Sequence, residues 1–147
     1  MKPSSEKFFL DTNILVYTFE SLSDPRCKKA RELVATALET HSGMISYQVV
    51  QEFLNVATRK FVQRMSISEV QLYLARVLMP LCAIFPASPL YSQALSIVGE
   101  TGLSFYDSLI VSSAITGGCG VLLTEDLQHG QRIRGLEIRN PFRAKLP

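Results

Sequence analysis

No stretch of this chain is apolar for long. The richest run, Leu109 to Ile115, falls far short of the roughly 20 residues that a bilayer span needs, so a membrane helix is not expected. The opening residues Met1 to Glu6 are polar and mixed in charge, with no apolar core behind them. That is not the pattern of a secretory leader, and a cytoplasmic protein is expected. Cysteine is scarce: Cys27, Cys82 and Cys119 are odd in number and far apart, which argues against a disulfide scaffold or a zinc cluster and for small buried fillers. With His41 and His129 as the only histidines, a histidine-rich zinc site is nearly excluded. Charge of one sign is also weak, at a formal +2. Two basic groups stand out, Arg59, Lys60 and Arg64, and then Arg132, Arg134, Arg139, Arg143 and Lys145. A solvated surface explains either group as well as phosphate contact does.

What is present is the make-up of one folded domain spanning residues 1–147, with 47% hydrophobic and 19% charged residues and no repeat, low-complexity tract or linker. Short apolar runs alternate with longer segments of helical period, the pattern of an α/β fold with a mainly parallel sheet of four to five strands. Phe8-Phe9-Leu10 reads as the first strand and a turn region follows Asp11. Asp24-Pro25 caps a helix with an apolar stripe at Ala30, Leu33, Val34, Ala37 and Leu38, closed by Gly43. Met44-Ile45 is the second strand. Ser46 caps a helix burying Val49, Val50, Phe53, Val56 and Ala57. Ser66 and Glu69 form a capping box whose helix presents Val70, Tyr73, Leu74, Val77 and Leu78 and stops at Pro80. Ala83-Ile84-Phe85 is the third strand. The next helix starts at Ser88-Pro89, is buried through Tyr91, Ala94, Leu95 and Val98, and ends near Gly102. Ser104 opens a very apolar helix ended by Gly117-Gly118. Val121-Leu122-Leu123 is the fourth strand, and Leu136-Glu137-Ile138 the fifth, at the sheet edge.

Only four aspartates occur. Asp24 has a structural role as a cap. The other three fall where an open parallel sheet binds ligands, beyond the carboxyl ends of its strands: Asp11 directly after the first strand, Asp126 just past the fourth, and Asp107 in the first turn of the helix leading into the fourth. Glu52 lies about one and a half turns into the helix leaving the second strand, on a face shared with Gln48, Asn55 and Arg59. Spacing alone reads that face as a polar stripe toward water. Each aspartate also has a bland reading as a helix cap, and Asp107 suits a capping box with Ser104. Together these readings weaken, because three caps have no reason to meet at one sheet edge. Two carboxylates ~4 Å apart repel by roughly 4 kcal/mol at an effective dielectric near 20. Their convergence therefore calls for protonation or a cation, and all-oxygen ligation points to Mg²⁺ or Mn²⁺ and to phosphoryl chemistry.

The residues that carry this pattern also resemble a family. Phe8-Phe9-Leu10-Asp11-Thr12-Asn13, Val50-Gln51-Glu52, Leu103-Ser104-Phe105-Tyr106-Asp107 and Leu122-Leu123-Thr124-Glu125-Asp126 are similar, in order, to the motifs of PIN-domain ribonucleases, over about Phe8 to Ile138. The free-standing length most resembles the VapC-type toxins of bacterial toxin–antitoxin pairs. The resemblance implies a three-layer α/β/α fold, often dimeric, that hydrolyses RNA with Mg²⁺ or Mn²⁺ through metal-activated water and leaves 5′-phosphates. It implies a small antitoxin partner, and DNA contact only through the antitoxin complex. Asp11 and Asp107 match the family's central metal ligands and Glu52 its helical glutamate. Asp126 matches the fourth acidic position in a Thr-x-Asp pattern, with Glu125 as the backup. Asn13 and Thr124 match supporting polar positions.

Two other readings compete. A partner-binding module would keep the acidic crevice without chemistry and would tolerate neutral substitution of Asp107. A Mg²⁺-dependent phosphotransfer domain also places an aspartate at a strand end. Here, however, Asn13 stands two residues after Asp11, where a haloacid-dehalogenase-type phosphatase needs a second aspartate, and no lysine follows a late strand.

Overall fold

The computed structural model describes residues 6–61 and 65–143. Arg64 and Lys145 of the two basic groups, and Met1 to Ser5 of the polar opening, lie outside them.

The sheet is built outward from β1 (Phe8–Leu10). The chain passes through α1 (Thr12–Tyr17) and α2 (Pro25–Thr40) to β2 (Gly43–Ser46). It then runs through α3 (Tyr47–Arg59), α4 (Ile67–Tyr73), a π-helical turn (Leu74–Leu78) and α5 (Met79–Leu81) to β3 (Cys82–Ile84). Next, α6 (Ser88–Thr101) and α7 (Phe105–Thr116) carry it back to β4 (Val121–Leu123), on the other side of β1. The strands β5 (Arg132–Ile133) and β6 (Leu136–Arg139) finish the sheet in the order β3-β2-β1-β4-β6-β5. All pairings are parallel except β5 with β6.

Phe8 pairs with Gly43 and Phe9 with Met44, and these pairs face opposite ways. A Cβ on Gly43 would lie 2.4 Å from Ala37 of α2, whereas one on Gly117, just past α7, would meet Met44. Helices therefore cover both faces, giving three layers. Phe9, Leu10, Ile45 and Leu122 are buried at the centre, as strands covered on both sides require.

The caps expected from Asp24, Ser46, Ser66 with Glu69, and Ser104 are all formed. Cys27 and Cys119 are buried free thiols. Elsewhere the structure departs from expectation for physical reasons. The stretch after Asp11, expected as a turn, is α1. It is too short to show a period, yet it buries Ile14 and Leu15 and packs on α2 and α3. Gly43 does not close α2. His41 does, in the left-handed conformation at φ 57°, while Gly43 is kept for β2, where a side chain would strike Phe8 and Ala37. The helix from Ser66 does not stop at Pro80. Its register loosens to the π form, with the Met79 N–H bonding to Leu74 O. That spares Pro80, which has no N–H, the clash it would cause in a regular α-helix. β3 begins and ends one residue earlier than expected, and Phe85 is exposed.

The helix α6 is rotated from its expected face. It buries Leu90, Ala94 and Ile97 and leaves Tyr91 and Leu95 exposed. Polar contacts to α7 hold it there: Ser112 Oγ donates to Leu90 O at 2.9 Å, and Gln93 Nε2 donates to Ser112 Oγ at 2.8 Å. The strand at Leu136 is not the sheet edge, because the two-residue β5 pairs outside it and brings the sheet to six strands. Among the described residues, no helix is long and apolar enough to cross a membrane.

Candidate active site

The strand order reverses between β1 and β4, since the chain builds toward β3 and then returns to β1's other side. At such a switch point the loops leaving two neighbouring strands part and open a crevice. Asp11 leaves β1 at this point, its N–H still bonded to Leu123 O at 3.0 Å. Thr124, Glu125 and Asp126 leave β4 beside it.

Asp11 is buried, at 8% exposure. Its Oδ1 accepts from Thr12 N at 2.8 Å and caps α1. Its Oδ2 accepts from the hydroxyl of fully buried Thr124 at 2.8 Å. The same hydroxyl oxygen accepts from Asp126 N at 3.0 Å and from Asn13 Nδ2 at 3.4 Å. Asn13 Nδ2 also donates to Asp126 Oδ2 at 3.0 Å. Asp11, Asn13, Thr124 and Asp126 thus form one network. Glu52 joins through Thr12, whose hydroxyl donates to Glu52 Oε1 at 2.6 Å.

Asp107 stands across from them in the first turn of α7. Ser104 Oγ accepts from its N–H at 3.1 Å, but the Asp107 carboxylate makes no return bond. The reciprocal capping box that would have explained Asp107 structurally is therefore incomplete.

Asp11, Asn13, Glu52, Asp107 and Asp126 all line one open cavity of about 520 Å³. Of the polar stripe on α3, Gln48, Glu52 and Asn55 line this open cavity, where Glu52 and Asn55 stay exposed to water as spacing suggests, while Arg59 lies off it. Glu125 does not share the position. Tyr17 donates a hydrogen bond to its Oε1, and Arg26 lies 3.8 Å from Oε2.

Burial, opposed by the bonds from Thr124 and Thr12 and reinforced by the charges of Asp126 and Glu52, lifts the Asp11 carboxyl from 3.8 to about 6. A buried carboxylate facing like charges is costly unless a cation is near. Two buried side-chain oxygens of residues that line this cavity, Asn13 Oδ1 and Gln48 Oε1, find no hydrogen-bond partner among the described residues. The donors offered here are all oxygens, which suits a hard divalent cation. Among the described residues, no three acidic, histidine or cysteine side chains already converge on one point as a formed metal cage. The carboxylates ring the cavity instead.

Sequence reasoning assigned no site role to Thr12, Tyr17 or Tyr106, although each lines the cavity, and offered Lys60 only as one of a basic group. Thr12 and Tyr106 lie within the motifs that carry Asp11 and Asp107, whereas Tyr17 has no local signal and is brought here by helix packing.

The sequence matches the PIN domain family over residues 8–133. Comparison with curated protein sequences yields no match. Among solved structures, the chain is similar to a toxin–antitoxin complex from Klebsiella pneumoniae (TM-score 0.67, 18% identity, covering 94% of this chain and 100% of that one). It is also similar to a DNA-bound VapBC from Salmonella typhimurium (TM-score 0.61, 24% identity, 92% and 98%). A third is VapC20 from Mycobacterium tuberculosis, a toxin that cleaves the sarcin–ricin loop (TM-score 0.60, 20% identity, 82% and 92%). With a family match over most of its length, on a fold that sets its acidic cavity at the sheet's switch point, the chain belongs to the PIN domain family.

Proposed function

We propose that this single-domain protein is a metal-dependent endoribonuclease acting as the toxin of a toxin–antitoxin pair. The observation that carries the reading is Asp11: a buried carboxylate, held by Thr124 and Thr12 and facing Asp126 and Glu52. A fold does not bury such charges together for stability alone. Asp11 and Asp107 would hold Mg²⁺ or Mn²⁺, with Glu52 and Asp126 completing the site directly or through water. When bound, the cation supplies a polarised phosphate oxygen, an activated water and neutralisation of the leaving oxygen.

The remaining work falls to the chain's own residues. Thr124 fixes one oxygen of Asp11 and leaves the backbone N–H of Thr12 to fix the other. Asn13 orients Asp126, and Thr12 orients Glu52. Lys60, on the cavity wall, offers a positive charge to an incoming phosphate. Hydrolysis by water would leave 5′-phosphate ends, unlike histidine-dependent ribonucleases, which use the RNA's own 2′-hydroxyl. Neither histidine lines this cavity.

A small antitoxin and a second copy of the chain are the expected partners. The exposed aromatics Tyr47, Phe85, Tyr91 and Tyr106 line a neighbouring cavity of about 250 Å³ and supply the apolar surface such partners need.

Incubating a mixed RNA pool with purified protein in Mn²⁺, Mg²⁺ or EDTA, with Asp11→Asn in parallel, tests the reading. Metal-dependent cutting, absent from the variant and leaving 5′-phosphates, is the expected result. No cutting in any metal on varied structured RNAs would move the reading to a partner-binding module.

A further inference from the structure

A second cavity, about 670 Å³ in volume, opens on the α2 side of the sheet. Its floor is apolar, with Phe8, Leu33 and Leu123, while its rim carries the exposed residues Lys29, His129 and Arg143 against one acid, Glu6. Of the C-terminal basic group, Arg132 and Arg139 pair with Glu137, and Arg134 pairs with Glu100. Among the described residues, Arg143 and Lys29 enter no ion pair, and both border this cavity.

The basic cavity also adjoins the acidic one. Tyr17 lines the acidic cavity and packs edge-on against Phe142, with ring centroids 4.9 Å apart. Phe142 sits between Pro141 and Arg143, which line the basic cavity. One aromatic contact therefore ties the wall of the cavity where phosphodiester chemistry is proposed to the segment that carries Arg143 over the apolar floor.

A ring of carboxylates repels a polyanion, so a strand cut there needs its flanking phosphates held elsewhere. Resting on the nuclease reading above, we infer that the basic cavity is a subsite for single-stranded RNA. It takes a nucleotide flanking the scissile phosphate, with phosphate oxygens on Lys29 and Arg143 and the base against the Phe8, Leu33 and Leu123 floor. Cations beside apolar or aromatic surface are what single strands are recognised by. An acidic peptide would meet the same cations but carries no planar base for the floor.

The test is binding of a short fluorescein-labelled single-stranded RNA of mixed sequence, by anisotropy in EDTA across a salt series, followed by cleavage kinetics in Mn²⁺. The proteins are the wild type, Lys29→Ala with Arg143→Ala, each of these two substitutions alone, and Lys28→Ala, which removes one charge one residue along α2 and off the cavity. The double variant should bind about tenfold more weakly or worse. Its salt slope should fall by about 1.4, at about 0.7 per lost phosphate contact. KM should rise in step while kcat stays within about twofold. A double variant indistinguishable from Lys28→Ala, in a protein whose wild type binds and cuts, would overturn the subsite and leave the nuclease reading standing. Equal weakening toward polyglutamate would mark a general anion site and overturn the assignment to RNA. A wild type that neither binds nor cuts RNA would overturn both.

Discussion

Replacing Asp11 by Asn should abolish cleavage and yet make the metal-free protein more stable at neutral pH. Burial raises the Asp11 carboxyl from 3.8 to about 6. Each unit corresponds to about 1.4 kcal/mol, so ionising Asp11 in the folded, metal-free protein costs roughly 3 kcal/mol. Because the folded value is the higher one, the folded state binds the proton more tightly. Stability from this group is full below pH about 4, falls as pH rises to about 6, and stays lost above that. Asn escapes that loss. It also weakens two bonds that the carboxylate accepts, from Thr12 N and the Thr124 hydroxyl, at about 1–2 kcal/mol in all. The net gain near pH 7.5 is then about 1–2 kcal/mol, a rise in Tm of about 2–8 °C for a chain of this size.

Thermal melts of both proteins in EDTA from pH 4 to 8 would show the curves separating as pH rises. The gap should close near pH 5 and reverse by pH 4, where Asp11 is nearly neutral and only the weakened bonds, about 1–2 kcal/mol, separate the two proteins. Adding Mg²⁺ or Mn²⁺ should then stabilise the wild type by mass action and leave the variant unmoved. An Asn variant less stable than wild type at every pH, or a gap that ignores pH, would refute the electrostatic account of Asp11.

Four further substitutions probe the surroundings. Thr124→Val removes the hydroxyl that donates to Asp11 and accepts from Asp126 N and Asn13. Urea titration at pH 7.5 should show a loss of about 2 kcal/mol, and cleavage should fall roughly 10- to 100-fold. Glu125→Gln should leave cleavage within about threefold of wild type, since Glu125 answers to Tyr17 and Arg26. Asp126→Asn should lower it about 10- to 100-fold, and the reverse order in a rate assay would exchange their roles. Gly43→Ala should cost about 1–3 kcal/mol in the same urea titration, because the new methyl would press on Ala37 and the Phe8 ring.

The parts of this fold that could be read from the sequence are those fixed by local chemistry. Asp24, Ser46, Ser66 and Ser104 each place an oxygen two or three residues before the N–H groups they cap, so their helices announce themselves. The central strands are continuous apolar runs because both their faces are covered. What stayed hidden depends on distant residues. Nothing near α6 reveals that Gln93 and Ser112 lock its rotation. The π turn follows from Pro80 meeting a helix that tertiary packing keeps going. β5 has two residues and exists only because β6 offers it a partner.

The acidic site divides along the same line. Its aspartates were legible because they stand at strand ends and at a helix start, positions the chain's own alternation defines. Whether they meet is a question of topology, and the answer is the return of the chain from β3 to β4 beside β1. That return also makes the solvent-facing polar stripe of α3 one wall of the site. Here the local rules are broken together: a buried carboxyl raised to about 6, and amide oxygens of Asn13 and Gln48, which line the same cavity, left without a partner among the described residues. A sequence optimised only for stability would remove each of these defects by a single substitution. Their shared position at the one point where the sheet order reverses is an argument for function that no single residue makes by itself.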